Sequence, residues 1–115
     1  MTSSAPTYIV RSTSSPQAGR SLNMIRQQQL VIDSPQLNGA ISPGEAFLAG
    51  ISACGVTLLG AVAPQLGIQL DHVDVQIEGY MQSGVAAFDH IDLHFTLTGP
   101  TDEEAAILVG RYQDG

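Results

Sequence analysis

The chain has 115 residues, 43% of them hydrophobic and only 13% charged, which suits one domain with a filled core and a sparsely charged surface. Its net charge is −7, with four Arg and no Lys. That balance argues against nucleic acid and anionic membrane surfaces as partners, since both need clustered cations.

Met1 to Thr7 is a small, polar lead expected to fray, and the segment MTSSAPTYIV has neither the basic region nor the apolar run of a secretory signal. Tyr8 to Arg11 reads as a short strand, and Ser12 to Gly19, which holds Ser, Thr, Pro, Gln and Gly, as a loop. Arg20 to Arg26 alternates loosely, with Leu22 and Met24 on one side. Gln29 to Asp33 does the same with Leu30 and Ile32, so the two predict a hairpin turning near Gln27 and Gln28. Ser34 to Ala40, with Pro35, Asn38 and Gly39, is the next loop.

The longest apolar segment runs from Ile41 to Gly67 and holds the chain's one cysteine, Cys54. Ser42 as N-cap, Pro43 at the first helical position and Glu45 three residues after Ser42 form a capping box. The helix is expected to reach about Ala63. Pro64 lacks the amide to continue it and Gly67 is a stop signal. Phe47, Leu48, Ile51, Val56, Leu58, Leu59 and Val62 spread around the helix, and Ala49, Gly50, Gly55 and Gly60 permit close approach. A helix apolar on all sides is a buried one, so it is expected to be the central core helix of a soluble domain, wrapped by a sheet or packed on a second copy.

Asp71 to Tyr80 sets Val73, Val75 and Ile77 against His72, Asp74, Gln76 and Glu78; His90 to Thr98 sets Ile91, Leu93, Phe95 and Leu97 against His90, Asp92, His94 and Thr96. These alternations predict two half-buried antiparallel strands joined by Gly79 to Ala87. Thr101 and Glu104 form a second capping box, with Ala105, Leu108, Val109 and Tyr112 as the inward stripe of the last helix. The order of strands, helix, strands, helix is α+β.

Several of these residues together resemble a known family. Ser42-Pro43-x-Glu45, then small and apolar residues, then Ser52-Ala53-Cys54, is similar to the signature of the OsmC/Ohr family. Val73 to Gly79 after Gly67-Ile68, and Phe95-x-Leu97-x-Gly99-Pro100 running into an acidic helix start, follow the same pattern over roughly Leu30 to Gly115. The resemblance implies antiparallel strands around a long buried central helix in an intertwined homodimer. It implies a thiol-dependent peroxidase for organic hydroperoxides, serving oxidative stress defence, with no cofactor and with an external dithiol as reductant; a cytoplasmic setting is expected from the single cysteine, which cannot form an intramolecular disulfide. Its catalytic residues would be Cys54, Glu45 and an Arg from the N-terminal strands, Arg20 or else Arg26. The family's second cysteine would follow Tyr112-Gln113-Asp114-Gly115, so residues 1–115 are expected to form one OsmC-like domain lacking the family's C-terminal end.

Each site residue also has a plainer role. Cys54 fits a small inert hydrophobe of an apolar helix, since reactivity needs a lowered pKa and access. Glu45 is accounted for by its cap. Nine residues separate it from Cys54, about 13 Å along one helix and half a turn in phase, so a bridging Arg or a partner chain must join them. His90, Asp92 and His94 share one strand face, to which Glu78 or His72 could add a third metal ligand; a solvated face is the expectation, with no metal. The rival to the enzyme is a non-enzymatic, dimeric small-molecule or partner-binding protein of the same fold.

Overall fold

The computed structural model describes residues 5–82 and 87–114. The chain divides into two compact units, Met1–Ala46 and Phe47–Gly115.

The first unit is a three-stranded antiparallel meander in the order β1 (Arg11–Ser14), β2 (Arg20–Ile25), β3 (Gln28–Asp33). Ile25 pairs with Gln28, so Arg26 and Gln27 make the two-residue turn, with Arg26 in the left-handed region at φ 54°. β1 is not where apolar content placed it. Tyr8, Ile9 and Val10 stand exposed outside the ladder, and polar Arg11–Ser14 pairs instead. One side-chain reason is local: Ser12 Oγ donates to Asn23 Oδ1 at 2.6 Å across the β1–β2 pair. Asn23 in turn donates through Nδ2 to Leu30 O at 2.9 Å and to Ser21 Oγ at 3.0 Å. A buried amide satisfied on both sides costs little and fixes strand register. The inward residue of β2 is therefore Asn23, while Met24 is exposed.

Helix α1 (Pro43–Gln65) starts at the end of the first unit and runs through the second. Its capping box is formed as expected: Ser42 N donates to Glu45 Oε1 at 2.8 Å and Glu45 N to Ser42 Oγ at 3.3 Å. Pro64 does not stop the helix short; it occupies the last turn, and the chain leaves through Gly67 at φ 68°. Burial of the helix was expected from a wrapping sheet or a second copy, and a single chain covers one face of it. Within this chain only Gly55, Leu59 and Ala63 of α1 are buried, a single stripe at four-residue spacing. The apolar residues outside the stripe include exposed Phe47 and Val56. By length and composition α1 could cross a membrane.

The stripe of α1 packs into the core of the second unit. β4 (His72–Met81) and β5 (Phe88–Thr98) form the antiparallel pair, with Val75 opposite Phe95 and Ile77 opposite Leu93. His72 opens β4 and is exposed, and residues 83–86 of the connector lie outside the described residues. α2 (Asp102–Asp114) begins with the expected cap: Thr101 N donates to Glu104 Oε1 at 3.0 Å and Glu104 N to Thr101 Oγ1 at 3.2 Å. Its predicted C′ residue, Gly115, lies outside the described residues. Leu59, Ala63, Ile68 and Leu108 make the buried core, with Val62, Leu70, Val73, Phe95, Leu97 and Tyr112 packed on it. Hydrophobic burial of this kind is the main favourable term in folding.

Candidate functional site

Cys54 lies mid-way along α1 and its side chain is exposed. The next residue, Gly55, is buried for a packing reason: a Cβ there would meet the Phe95 ring at 3.3 Å and Tyr112 Cε1 at 3.4 Å. Those two rings meet edge to face with centroids 5.4 Å apart. Tyr112 Oη donates to the carbonyl of Ile51, one turn before Cys54, at 3.1 Å. Burial, and then the negative charge Cys54 can carry, push the Tyr112 phenol up from its ordinary value. α2 thus supplies an aromatic neighbour that anchors the cysteine's turn of α1. The spacing of Tyr112 on the α2 stripe signalled its inward face, but not its place beside Cys54.

Arg20 begins β2 directly opposite Asp33, the last residue of β3. The two form a bidentate ion pair: Nε donates to Oδ1 at 2.7 Å and Nη2 to Oδ2 at 2.9 Å. The Asp33 side chain is fully buried, and the Arg20 side chain keeps 34% of its exposure. The hydrogen bonds from Arg20 hold the Asp33 carboxyl below its ordinary value against the opposing effect of burial, helped by the Arg20 charge and the Gly39 and Ala40 amides. The pair borders an open groove of about 440 Å³ lined by Ser12, Ser14, Ser21, Ser34 and Ile32. Sequence reasoning missed Asp33. With four cations in the chain, a carboxylate closing the strand opposite Arg20 was the available signal.

Of the other candidates, Glu45 is exposed and uses Oε1 in its cap. Arg26 sits in the β2–β3 turn. Arg20 and Glu45 belong to the first unit and Cys54 to the second.

The polar face of β4–β5 is internally paired. Glu78 accepts from Gln76 Nε2 at 2.9 Å and Tyr80 Oη at 3.1 Å, and His94 Nε2 lies 3.0 Å from Glu78 Oε1. These contacts, the His94 one foremost, lower the Glu78 carboxyl from its ordinary value. His90 stacks on Tyr80 and meets Asp89 at 3.0 Å. Among the described residues no group of three or more His, Cys, Asp or Glu is arranged to hold a metal ion.

Residues 36–111 match the family model described as OsmC-like protein. The chain belongs to the OsmC-like family. An OsmC-like protein from Mycoplasma pneumoniae has a similar structure, with a TM-score of 0.83 at 17% identity over 93% of this chain and 80% of that one. The OsmC organic hydroperoxide resistance protein of Legionella pneumophila gives 0.73 at 23% identity, over 97% and 85%. OhrB of Bacillus subtilis, an organic hydroperoxide resistance protein, gives 0.67 at 19%, over 94% and 84%. A search of curated proteins gave no match. The OsmC-like architecture expected from the residues is thereby established, and at these identities the structural likeness concerns the fold.

Proposed function

We propose that this OsmC-like protein is a thiol-dependent peroxidase that reduces organic hydroperoxides in oxidative stress defence. The observation that carries the reading is the exposed Cys54 on the central helix of a family whose structural neighbours include organic hydroperoxide resistance proteins. The Cys54 thiolate attacks the distal peroxide oxygen and the O–O bond breaks. The thiol becomes a sulfenic acid, and the alkoxide leaves as an alcohol after taking up a proton. An external dithiol then attacks the sulfenic sulfur; water leaves, the reductant becomes a disulfide and the Cys54 thiol is restored.

Arg20 serves as the cation that stabilises the thiolate and orients the peroxide, and Glu45 as a carboxylate at the helix start that helps to position the Arg. The active form is a cytoplasmic homodimer. The exposed apolar residues of α1, Phe47 and Val56 among them, support a second copy as cover.

Stopped-flow oxidation with cumene hydroperoxide tests the reading. Cys54 should react much faster than free cysteine and faster than with hydrogen peroxide. The product should be trapped by dimedone, and turnover should require added dithiol. A rate equal to that of free cysteine transfers the protein to the rival reading, a dimeric binding protein with an unreactive thiol.

A further inference from the structure

The Arg20 guanidinium is held by a carboxylate that the site residues named so far do not include. Asp33 takes both Nε and Nη2, at 2.7 and 2.9 Å, in the fork geometry that fixes a guanidinium plane. The loop after β3 is built to keep that carboxylate in place. Asp33 N donates to Ile41 O at 2.8 Å, Ser34 N to Gly19 O at 2.8 Å, and Leu37 N and Asn38 N both return to Ser34 O. Asn38 takes a left-handed φ of 54°, and the following amide, Gly39 N, donates to Asp33 Oδ2 at 2.9 Å. Close approach favours glycine there, because a Cβ would lie 2.5 Å from Arg20 Nη2 and 2.9 Å from Asp33 Oδ2, so the ion pair would have to shift. A fully buried carboxylate held by the Arg20 fork and by loop amides is fixed in a way that exposed Glu45 is not.

We propose that Asp33, clamped by the Gly39 amide, is the positioning residue that sets the orientation of the Arg20 cation. The inference rests on the peroxidase reading, in which Arg20 assists Cys54. Two of the five guanidinium N–H groups are tied to Asp33, which leaves both on Nη1 and the second on Nη2 as donors for a thiolate or a peroxide oxygen. The ion pair gives up part of the free positive charge of Arg20 and gains a fixed direction for it, and direction is what lowers a barrier in an oriented site.

The test is the rate of Cys54 oxidation by cumene hydroperoxide in the full chain, compared for wild type, Arg20→Met, Asp33→Asn and the double variant. Arg20→Met should slow oxidation at least about tenfold. Asp33→Asn should slow it about three- to tenfold, and the double variant should be no slower than Arg20→Met alone, because residues acting through one group are not additive. The Arg20 Nε–H resonance should exchange slowly with solvent in wild type and quickly in Asp33→Asn, a readout that general loosening does not single out. Gly39→Ala keeps both charges while crowding Nη2, so it should also slow oxidation; where Asp33→Asn fails to fold, this variant decides. A wild-type rate in Asp33→Asn, or in Gly39→Ala where that variant decides, overturns the inference while Arg20→Met is slow. Multiplied losses in the double variant overturn it as well. A wild-type rate in Arg20→Met removes the Arg20 part of the peroxidase reading, and the inference with it.

Discussion

The two units bury opposite kinds of side chain. Among the described residues, the buried side chains of Phe47–Gly115 are Leu59, Ala63, Ile68 and Leu108, while those of Met1–Ala46 are Asn23 and Asp33, both hydrogen-bonded. Exposure mirrors this: the first unit shows Tyr8, Ile9, Val10, Met24, Leu30 and Ile41 to the outside. An apolar core supplies stability in proportion to the area removed from water and tolerates rearrangement. A buried polar network supplies little net stability but fixes one geometry, because any other leaves a donor or acceptor unpaired. The second unit is therefore where apolar stabilisation is concentrated, and the first is where a cation is held in one geometry.

The largest effect expected from this contrast lies in the apolar core. Leu59 is fully buried on the stripe of α1 that faces Leu108 and its neighbours. Leu59→Ala should cost about 2–5 kcal/mol, as large-to-small changes at well-packed sites do. Urea unfolding monitored by circular dichroism gives the number. A loss below about 1 kcal/mol would show that the apolar cluster does not dominate stability, and the contrast would lose its first half.

A more local effect separates the units by pH. The folded Asp33 carboxyl lies below its ordinary value, chiefly through its hydrogen bonds from Arg20. Its contribution to stability is therefore fully present above the unfolded carboxylate value of about 3.9, and is lost as pH falls from there through the folded value. Acidification should release the slow-exchanging amides of β2 and β3 before those of α2. Asp33→Asn should abolish that acid-sensitive step. Simultaneous release of all amides in wild type would contradict a separate polar clamp.

What could be read from residues alone follows the same division. The alternation of Val73, Val75 and Ile77 and of Leu93, Phe95 and Leu97 was legible because a sheet with one apolar face writes its period into the sequence. Both capping boxes were legible because they close within four residues. β1 was not, since polar Arg11–Ser14 joins the ladder through pairing with β2 rather than through its own apolar content. The burial of Asp33 was not legible, because it depends on a loop folding back over that residue. Cys54, Glu45 and Arg20 were singled out by resemblance; the pairing of Arg20 with Asp33 needed coordinates. The all-round apolar character of α1 was read correctly as composition, but within one chain it buries a single stripe.

The smallest effect bears on what lies over the rest of α1, and its sign carries the answer. Gly60 is exposed on this helix, and a Cβ added there has nothing within 4 Å; the same is true of Gly50. In a solvated helix interior alanine is favoured over glycine by up to about 1 kcal/mol, because glycine surrenders more backbone entropy on folding. If these positions face water, Gly60→Ala should raise the melting temperature by a few degrees at every protein concentration. If a second copy packs closely there, the added methyl group meets the partner's surface, and overpacking at a tight contact costs about 1–3 kcal/mol. The proposed homodimer thus predicts destabilisation by Gly60→Ala, together with a melting temperature that rises with protein concentration in the wild type and less steeply in the variant. Gly55→Ala is the internal reference. Its Cβ would meet Phe95 and Tyr112 of the same chain at 3.3–3.4 Å, so its effect should not depend on concentration. Stabilisation by Gly60→Ala, with a single mass equal to the monomer in light scattering, would remove the dimer and leave the exposed face of α1 without a second copy to cover it.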